Sequence, residues 1–432
     1  MGRLMGDKVL VVGGGGREHA LVWGLLRSPQ VDEVIAAPGN PGMAAEPGCR
    51  VEPDVSATDL DALMALADGE RVSLVVVGPE DALVGGLVDR LAEAGIAAFG
   101  PSGAAAQLEG SKSHCKAFLM AHDIPTGRAA SFADADEALA YLDALDGAPV
   151  VKADGLAAGK GVIVAETKDE AAAAIREIMV DGRFGAAGNE VLLEERLTGT
   201  EVSVLSFCDG TDYVVMPAAQ DHKRLLVGDE GPNTGGMGAF HPSPIADEAL
   251  LDEVARTVIE PTLAAMAAEG RPYKGVLYAG MMLTDDGPKV IEFNCRFGDP
   301  ECQVVVPLLE TDLYDVMQAC VEGRLGELAV GWADQAAVTV VIASGGYPVS
   351  SSPPAPIEGL DAVPDDCVVF HAGTALIDGV VQASGGRVLA VTAVKATLTE
   401  AAEAAHAGVA AIDFVGAQHR PDIARETAQV RT

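Results

Sequence analysis

The stretch Val150 to Ala165, VVKADGLAAGKGVIVA, sets two short apolar runs, Pro149-Val150-Val151 and Val162-Ile163-Val164, on either side of a loop holding Gly155, Gly159 and Gly161. Lys152 closes the first run and Lys160 lies inside the loop. Two short β-branched runs joined by a Gly-rich turn read as a β-hairpin. Glycines let backbone approach a ligand closely, and free N–H groups beside two ammonium groups suit a polyphosphate. A solvated surface hairpin is the plainer reading, but it gives the clustered lysines and glycines no purpose. The spacing is not that of a Walker A loop. Three residues separate Gly155 from Gly159, Lys160 is followed by Gly161, and a strand-like run comes next. Phosphates would therefore lie under a hairpin, as in a lid-type ATP site, and not at a helix N-terminus.

Upstream, Ser111 to Ala121 reads as a helix carrying Lys112 and Lys116, and Ser131 to Leu145 contains another. Before them the chain alternates strand and helix. Strands are expected at Lys8–Val12, Glu33–Ala37, Ser73–Val77 and Ala97–Phe99, with helices at Ala20–Leu26, Leu60–Ala67 and Leu83–Ala94. Such alternation predicts an α/β domain with a doubly wound parallel sheet, ending near Glu109. Ligands on these sheets gather at the carboxyl ends of the strands, where the loops at Gly13, Pro38, Gly78 and Gly100 fall. The run Gly13 to His19 (GGGGREH) follows a strand and opens a helix, yet GxGxxG fails at Glu18 in one register and at His19 in the other. The second strand ends in Pro38-Gly39-Asn40 and not in a ribose-binding acid, which argues against a dinucleotide. A phosphorylated small molecule with Arg17 as its partner fits better; a tight turn for helix packing is the alternative.

Downstream, Ala171–Met179 reads as a helix and Glu190–Leu197 as a strand whose charged end, Glu194-Glu195-Arg196-Leu197, could present its backbone to an adenine edge. The segments Gln220–Arg224 (QDHKR) and Gly231–Gly238 (GPNTGGMG) have few apolar anchors and predict a long functional loop. A helix over Leu250–Glu269 precedes strands at Val276–Leu283 and Lys289–Phe293. In Lys289 to Glu301 (KVIEFNCRFGDPE), Glu292 and Asn294 share one strand face. A carboxylate beside an amide oxygen suits Mg²⁺ on nucleotide phosphates, and Arg296 suits a transferring phosphoryl group. After Gly331 the chain predicts a small β-rich domain with few groups for chemistry.

Composition narrows the function. The 432 residues suffice for about three domains. With 64 acidic against 29 basic residues the net charge is −35, which argues against nonspecific nucleic-acid binding and fits a high-salt surrounding that screens self-repulsion. Seven scattered cysteines without a CxxC pair predict buried thiols, not a disulfide framework or zinc site. No apolar run reaches the ~18 residues of a membrane span, and residues 1–10 lack a signal-peptide core, so a cytoplasmic protein is expected.

Taken together, GGGGREHAL at 13, APGNPG at 37, GPE at 78, QLEGSK at 107, VKADGLAAGKGV at 151, QDHKR at 220, GPNTGGMGA at 231, VIEFNCRFGDPE at 290, SGGYP at 344 and FHAGT at 370 resemble the glycinamide ribonucleotide synthetases, ATP-grasp phosphoribosylamine–glycine ligases of de novo purine synthesis. The match runs in order through nearly the whole chain. The resemblance implies an α+β protein of three parts: a doubly wound domain over 1–109, an ATP-grasp domain over 110–328 with a mobile lid at about 125–197, and a C-terminal domain over 329–432. It implies ATP as co-substrate, glycine and 5-phosphoribosylamine as the other substrates, and Mg²⁺ or Mn²⁺ as cofactor. No nucleic-acid or membrane partner is implied, and a monomer is expected. Residue by residue, Lys112 and Lys152 would contact ATP phosphates beneath the loop Gly155, Gly159, Lys160 and Gly161. Glu194, Glu195 and Leu197 would hold the adenine and Glu201 the ribose. Glu292 and Asn294 would hold the metal, and Arg296, with Lys152, would stabilise the transferring group. Gly14, Gly15, Arg17, Gly39, Asn40 and Glu80 would receive the ribosylamine phosphate, with Asp221 and Lys223 across the cleft. Glycine would lie near Thr234 to Met237 and Arg296. The strand before Glu292 carries no carboxylate, so water is expected to complete the metal shell.

Overall fold

The computed structural model describes residues 6–156 and 161–425. Gly159 and Lys160 lie outside the described residues. The N-terminal region is a five-stranded sheet in the order Cys49–Val51, Val31–Pro38, Asp7–Gly13, Leu74–Val77, Ala98–Phe99. Every pairing is parallel. The central strands are apolar on both faces and buried, as a sheet covered on two sides requires. Strand order reverses at Asp7–Gly13, so the loops after Gly13 and after Val77 open on one crevice. The helix expected over Leu83–Ala94 is instead two, Glu80–Val84 and Leu87–Glu93. Gly85-Gly86 breaks it, with Gly86 in a left-handed conformation.

Two further sheets form the middle of the chain. One is antiparallel, ordered Tyr213–Val215, Thr200–Asp209, Lys274–Thr284, Gly287–Asn294. The other is ordered Ala129–Phe132, Val191–Glu194, Val150–Ala153, Val162–Val164. In it the expected hairpin forms, with Val150 opposite Val164 and Lys152 opposite Val162. The strand expected to run to Leu197 stops at Glu194, leaving Glu195 to Leu197 as a connecting segment.

The long loop expected over Gln220–Gly238 is a correction. Gln220–Asp221 and Gly238–His241 are short strands that join the C-terminal sheet, next to Ala336–Ala343. Between them, Arg224–Leu226 and Glu230–Asn233 pair as a ribbon. Backbone hydrogen bonding to a distant sheet, not apolar periodicity, orders this region, so it leaves no local sequence signal. The helix expected over Leu250–Glu269 forms from Glu248 to Ala268 with one π turn at Ala255–Ile259, just ahead of Pro261, whose missing N–H cannot continue an α ladder. Ala336–Ala343, Arg387–Lys395 and Cys367–His371 complete the C-terminal sheet, covered by the helix Leu398–Ala411.

Candidate active site

The hairpin sheet delivers Lys152 to the cleft side of its third strand position, where it is nearly buried. Its Nζ donates to the Ile291 carbonyl at 3.2 Å and meets Glu194 Oε2 at 2.5 Å as an ion pair. Lys112 Nζ donates to the Gly155 carbonyl at 2.9 Å. Beside it, Ser111 Oγ and Ser113 N donate to the Asp154 carboxylate at 3.1 and 2.9 Å. The first turn of the helix Lys112–Ala121 is thereby latched to the start of the Gly-rich loop, where Gly155 holds φ +89°. Gly161 is buried, and its carbonyl accepts from Ala153 N at 2.8 Å.

Past Glu194, the segment Glu195–Leu197 lies against residues 127–128. Glu195 N donates to the Arg128 carbonyl at 2.7 Å, and Arg196 makes a forked pair with Glu166 at 3.0 and 3.1 Å. Glu201 meets Lys223 Nζ at 2.7 Å. Strand alternation splits QDHKR between two sides. Asp221 and Lys223 share an electrostatic neighbourhood with Glu201 and Glu292, whereas His222 is half-buried against Phe240, ring centroids 5.6 Å apart. Burial pushes the His222 imidazole down to about 4, so it is neutral at physiological pH. Thr234 returns to this strand, donating through N and Oγ1 to the Lys223 carbonyl at 2.7 and 2.8 Å.

Glu292 and Asn294 are half-buried on one face while Phe293 between them is buried. Among the described residues, the Glu292 side chain makes no hydrogen bond or ion pair. Burial would raise its pKa, but the charges of Lys223, Lys152, Lys112 and Arg296 outweigh it and lower the value. A bare carboxylate ringed by four cations fits a site whose missing partners are a divalent cation and polyphosphate. The donors, one carboxylate and one amide oxygen, are hard oxygens that suit Mg²⁺. No group of three or more His, Cys, Asp or Glu able to hold a metal occurs among the described residues.

Arg296 is held from two sides, by Glu80 Oε2 at 3.0 Å and Glu109 Oε1 at 2.7 Å. Burial opposes its charge, and Glu109 and Glu80 overcome this and raise its pKa. Burial likewise opposes the Glu80 charge, but Arg296 and Arg17 hold that carboxyl down to about 2. A carboxyl depressed from 4.5 stabilises the fold fully above its unfolded value and loses that contribution as pH falls from 4.5 toward 2. The contribution is on the order of 3 kcal/mol at neutral pH. Denaturant titrations at neutral and acid pH are expected to show a steeper acid loss for wild type than for Glu80→Gln.

The N-terminal loop is more crowded than a bare phosphate cradle. Arg17 is buried, with its guanidinium donating to Glu18 Oε1 at 2.7 Å and to the Phe297 carbonyl at 2.9 Å. Glu18 also accepts from Gly15 N at 2.8 Å, and side chains at Gly13 or Gly78 would collide with it. A side chain at Gly14 would strike the Gly39 carbonyl. Asn40 caps the helix Pro41–Ala45 and donates to the carbonyls of Gly14 at 3.0 Å and His371 at 2.8 Å. These contacts tie the loop to the C-terminal domain.

Sequence reasoning missed Glu18, Glu109, Lys116 and Glu301 as parts of this region. Glu109 and Lys116 stand next to Ser111-Lys112, but their partners are remote. Lys116 is buried on Glu194 Oε1 and donates to the Gly127 carbonyl at 3.4 Å. Glu301 is buried beneath Tyr278. No local pattern announces either.

A lysine-bearing hairpin sheet facing an antiparallel sheet that ends in a Glu-x-Asn pair defines an ATP-grasp protein. The wider fold agrees: a biotin carboxylase from Campylobacter jejuni superposes with TM-score 0.75 at 13% identity, covering 98% of this chain and 95% of that one. The particular family follows from three matches, to the N domain, ATP-grasp (A) domain and C domain of phosphoribosylglycinamide synthetase over residues 7–109, 110–302 and 337–426. The chain belongs to the phosphoribosylglycinamide synthetase family. It is 50% identical to a phosphoribosylamine–glycine ligase of Caulobacter vibrioides, over 98% of this chain and 99% of that protein. It is 54% identical to the trifunctional purine biosynthetic protein adenosine-3 of Gallus gallus, where it covers 97% of itself but 42% of that longer protein. The crystal structure of a phosphoribosylamine–glycine ligase from Thermotoga maritima matches with TM-score 0.84 at 32% identity, covering 96% of this chain and all of that one. No helix among the described residues is long and apolar enough to cross a membrane.

Proposed function

We propose that this chain joins glycine to 5-phosphoribosylamine with ATP, through a glycyl phosphate, yielding glycinamide ribonucleotide, ADP and phosphate in de novo purine synthesis. The observation that carries the reading is the bare Glu292 carboxylate surrounded by the charges of Lys112, Lys152, Lys223 and Arg296. A carboxylate is a poor electrophile until one oxygen becomes a leaving phosphate, so catalysis is mainly positioning and charge stabilisation.

In this reading Lys112 and Lys152 bind the ATP phosphates under the hairpin loop of Gly155, Gly159, Lys160 and Gly161. Glu194, Glu195 and Leu197 hold the adenine and Glu201 the ribose. Glu292 and Asn294 hold Mg²⁺ or Mn²⁺, which when bound neutralises phosphate charge. Arg296 faces the transferring phosphoryl group. Gly14, Gly15, Gly39 and Glu80 border the ribosylamine, with Asp221, Lys223 and Thr234 opposite. Arg17 and Asn40 border the same ribosylamine site, while their protein partners fix the shape of the loop. The domains divide at 1–109, 110–328 and 329–432, the lid covers about 125–197, and the protein acts as a cytoplasmic monomer.

The test is phosphate release from ATP and Mg²⁺, with glycine and freshly generated phosphoribosylamine added singly and together. Release that requires both is expected. ATP binding without release in any combination would point to a nucleotide-binding protein or a different acceptor.

A further inference from the structure

Glu301 is only 3% exposed, yet among the described residues no Lys, Arg or His forms an ion pair with it. Several other carboxylates in the same region are paired. Glu80 and Glu109 share Arg296, Glu194 meets two lysines, and Glu201 meets Lys223. A buried carboxylate without a cation costs several kcal/mol, so it must be protonated part of the time or await a positive partner.

The Tyr278 hydroxyl donates to Glu301 Oε1 at 2.9 Å, and that hydroxyl lies 2.5 Å from Ser203 Oγ. The carboxylate rests on Gly298, where any Cβ would collide with it and with the Tyr278 ring. Tyr278 stands opposite Asn294 across the strand pair that carries Glu292, and Glu301 follows Arg296 on the same exit segment. The other groups acting on Glu301 are Asp221 and Lys223, which also feel Glu201 and Glu292. Glu301 therefore sits in the electrostatic neighbourhood of the proposed glycine and amine sites, and Tyr278 orients it.

We infer that Glu301 is the general base of the ligation step, accepting a proton from the amine as it attacks the activated glycyl carbonyl. The inference rests on the ligase reading above. The neutral amine nitrogen forms the C–N bond with its lone pair. The C–O bond to phosphate breaks, and its electron pair leaves on the phosphate oxygen. The nitrogen then carries one proton too many, and Glu301 takes it before passing it to phosphate or solvent. Burial and the Asp221 charge push Glu301 up to about 7, with Tyr278 and Lys223 pulling the other way. A base with that value is matched to neutral pH.

Glu301→Gln keeps the size and an acceptor for Tyr278 but cannot take the proton. Two reactions separate its role. Hydroxylamine is unprotonated at neutral pH and traps glycyl phosphate as glycine hydroxamate without a base. Ligation to phosphoribosylamine needs one. In Glu301→Gln, ligation is expected to fall about 10²-fold or more, with hydroxamate formation within a few-fold of wild type. Ligation in wild type should rise through about pH 7, and that limb should vanish in the variant. Tyr278→Phe, which removes the donor that favours the ionised carboxylate, should move the limb to higher pH; this second variant decides the matter if the first does not fold. Equal loss of both reactions, unimpaired ligation in Glu301→Gln, or an unmoved limb in Tyr278→Phe would overturn the assignment. Wild-type protein that forms no hydroxamate from glycine and ATP would overturn the ligase reading itself, and the base with it.

Discussion

Glu292→Ala is expected to lose metal-dependent turnover by about 10³-fold while the protein stays folded, since a metal ligand contributes several kcal/mol to charge stabilisation. Folding should survive because the side chain is half-buried at a strand end and makes no hydrogen bond or ion pair among the described residues. Its removal takes away one negative charge that Lys112, Lys152, Lys223 and Arg296 all act on. ATP should consequently still bind, through phosphate contacts with lysine, but turnover should no longer respond to Mg²⁺. Calorimetric ATP binding and turnover across a Mg²⁺ series measure the two separately. Wild-type turnover in this variant would place the metal elsewhere.

Arg296→Met should be the most destabilising single change in the cleft, by about 3–5 kcal/mol, because it strands two carboxylates in a buried setting. Glu80 and Glu109 both rely on this guanidinium, and Glu109 also accepts from Cys295 N at 2.7 Å. Without the cation Glu80 should lose its depression and rise above its unfolded value, and Glu109, which burial already holds above the ordinary carboxylate value, should rise further. The penalty then grows as pH rises through the unfolded carboxylate range and eases below it. Denaturant midpoints should lie further below wild type at pH 8 than at pH 5, and turnover should be lost at both. A pH-independent difference would mean that Arg296 contributes through packing and not through charge.

The two predictions involve residues of different legibility. Glu292 and Asn294 stand out in the sequence because a strand alternates its faces, so two polar side chains two residues apart share a side. The hairpin around Lys152 and the parallel domain built on Asp7–Gly13 were legible for the same reason: local apolar periodicity and glycine placement encode them. The partners of Arg296 were not legible. Glu80 and Glu109 lie 216 and 187 residues away, and nothing local to Arg296 distinguishes a free guanidinium from a clamped one. Arg17 shows the converse. Its place after four glycines suggests a phosphate partner, but nothing local shows that its guanidinium also donates to Glu18 and the Phe297 carbonyl.

By itself the sequence determined most elements outside Gln220–Gly238, the family and the types of group available to bind phosphate and metal, because strand and helix periods, turn glycines and long ordered motifs are short-range properties. Only the tertiary structure decided which charges neutralise one another. It wove Gln220–Asp221 and Gly238–His241 into the C-terminal sheet, clamped Arg296, and left Glu292 bare and Glu301 buried without a cation. Charge pairing depends on distance and burial in three dimensions, and residues that share a cleft need share no stretch of chain.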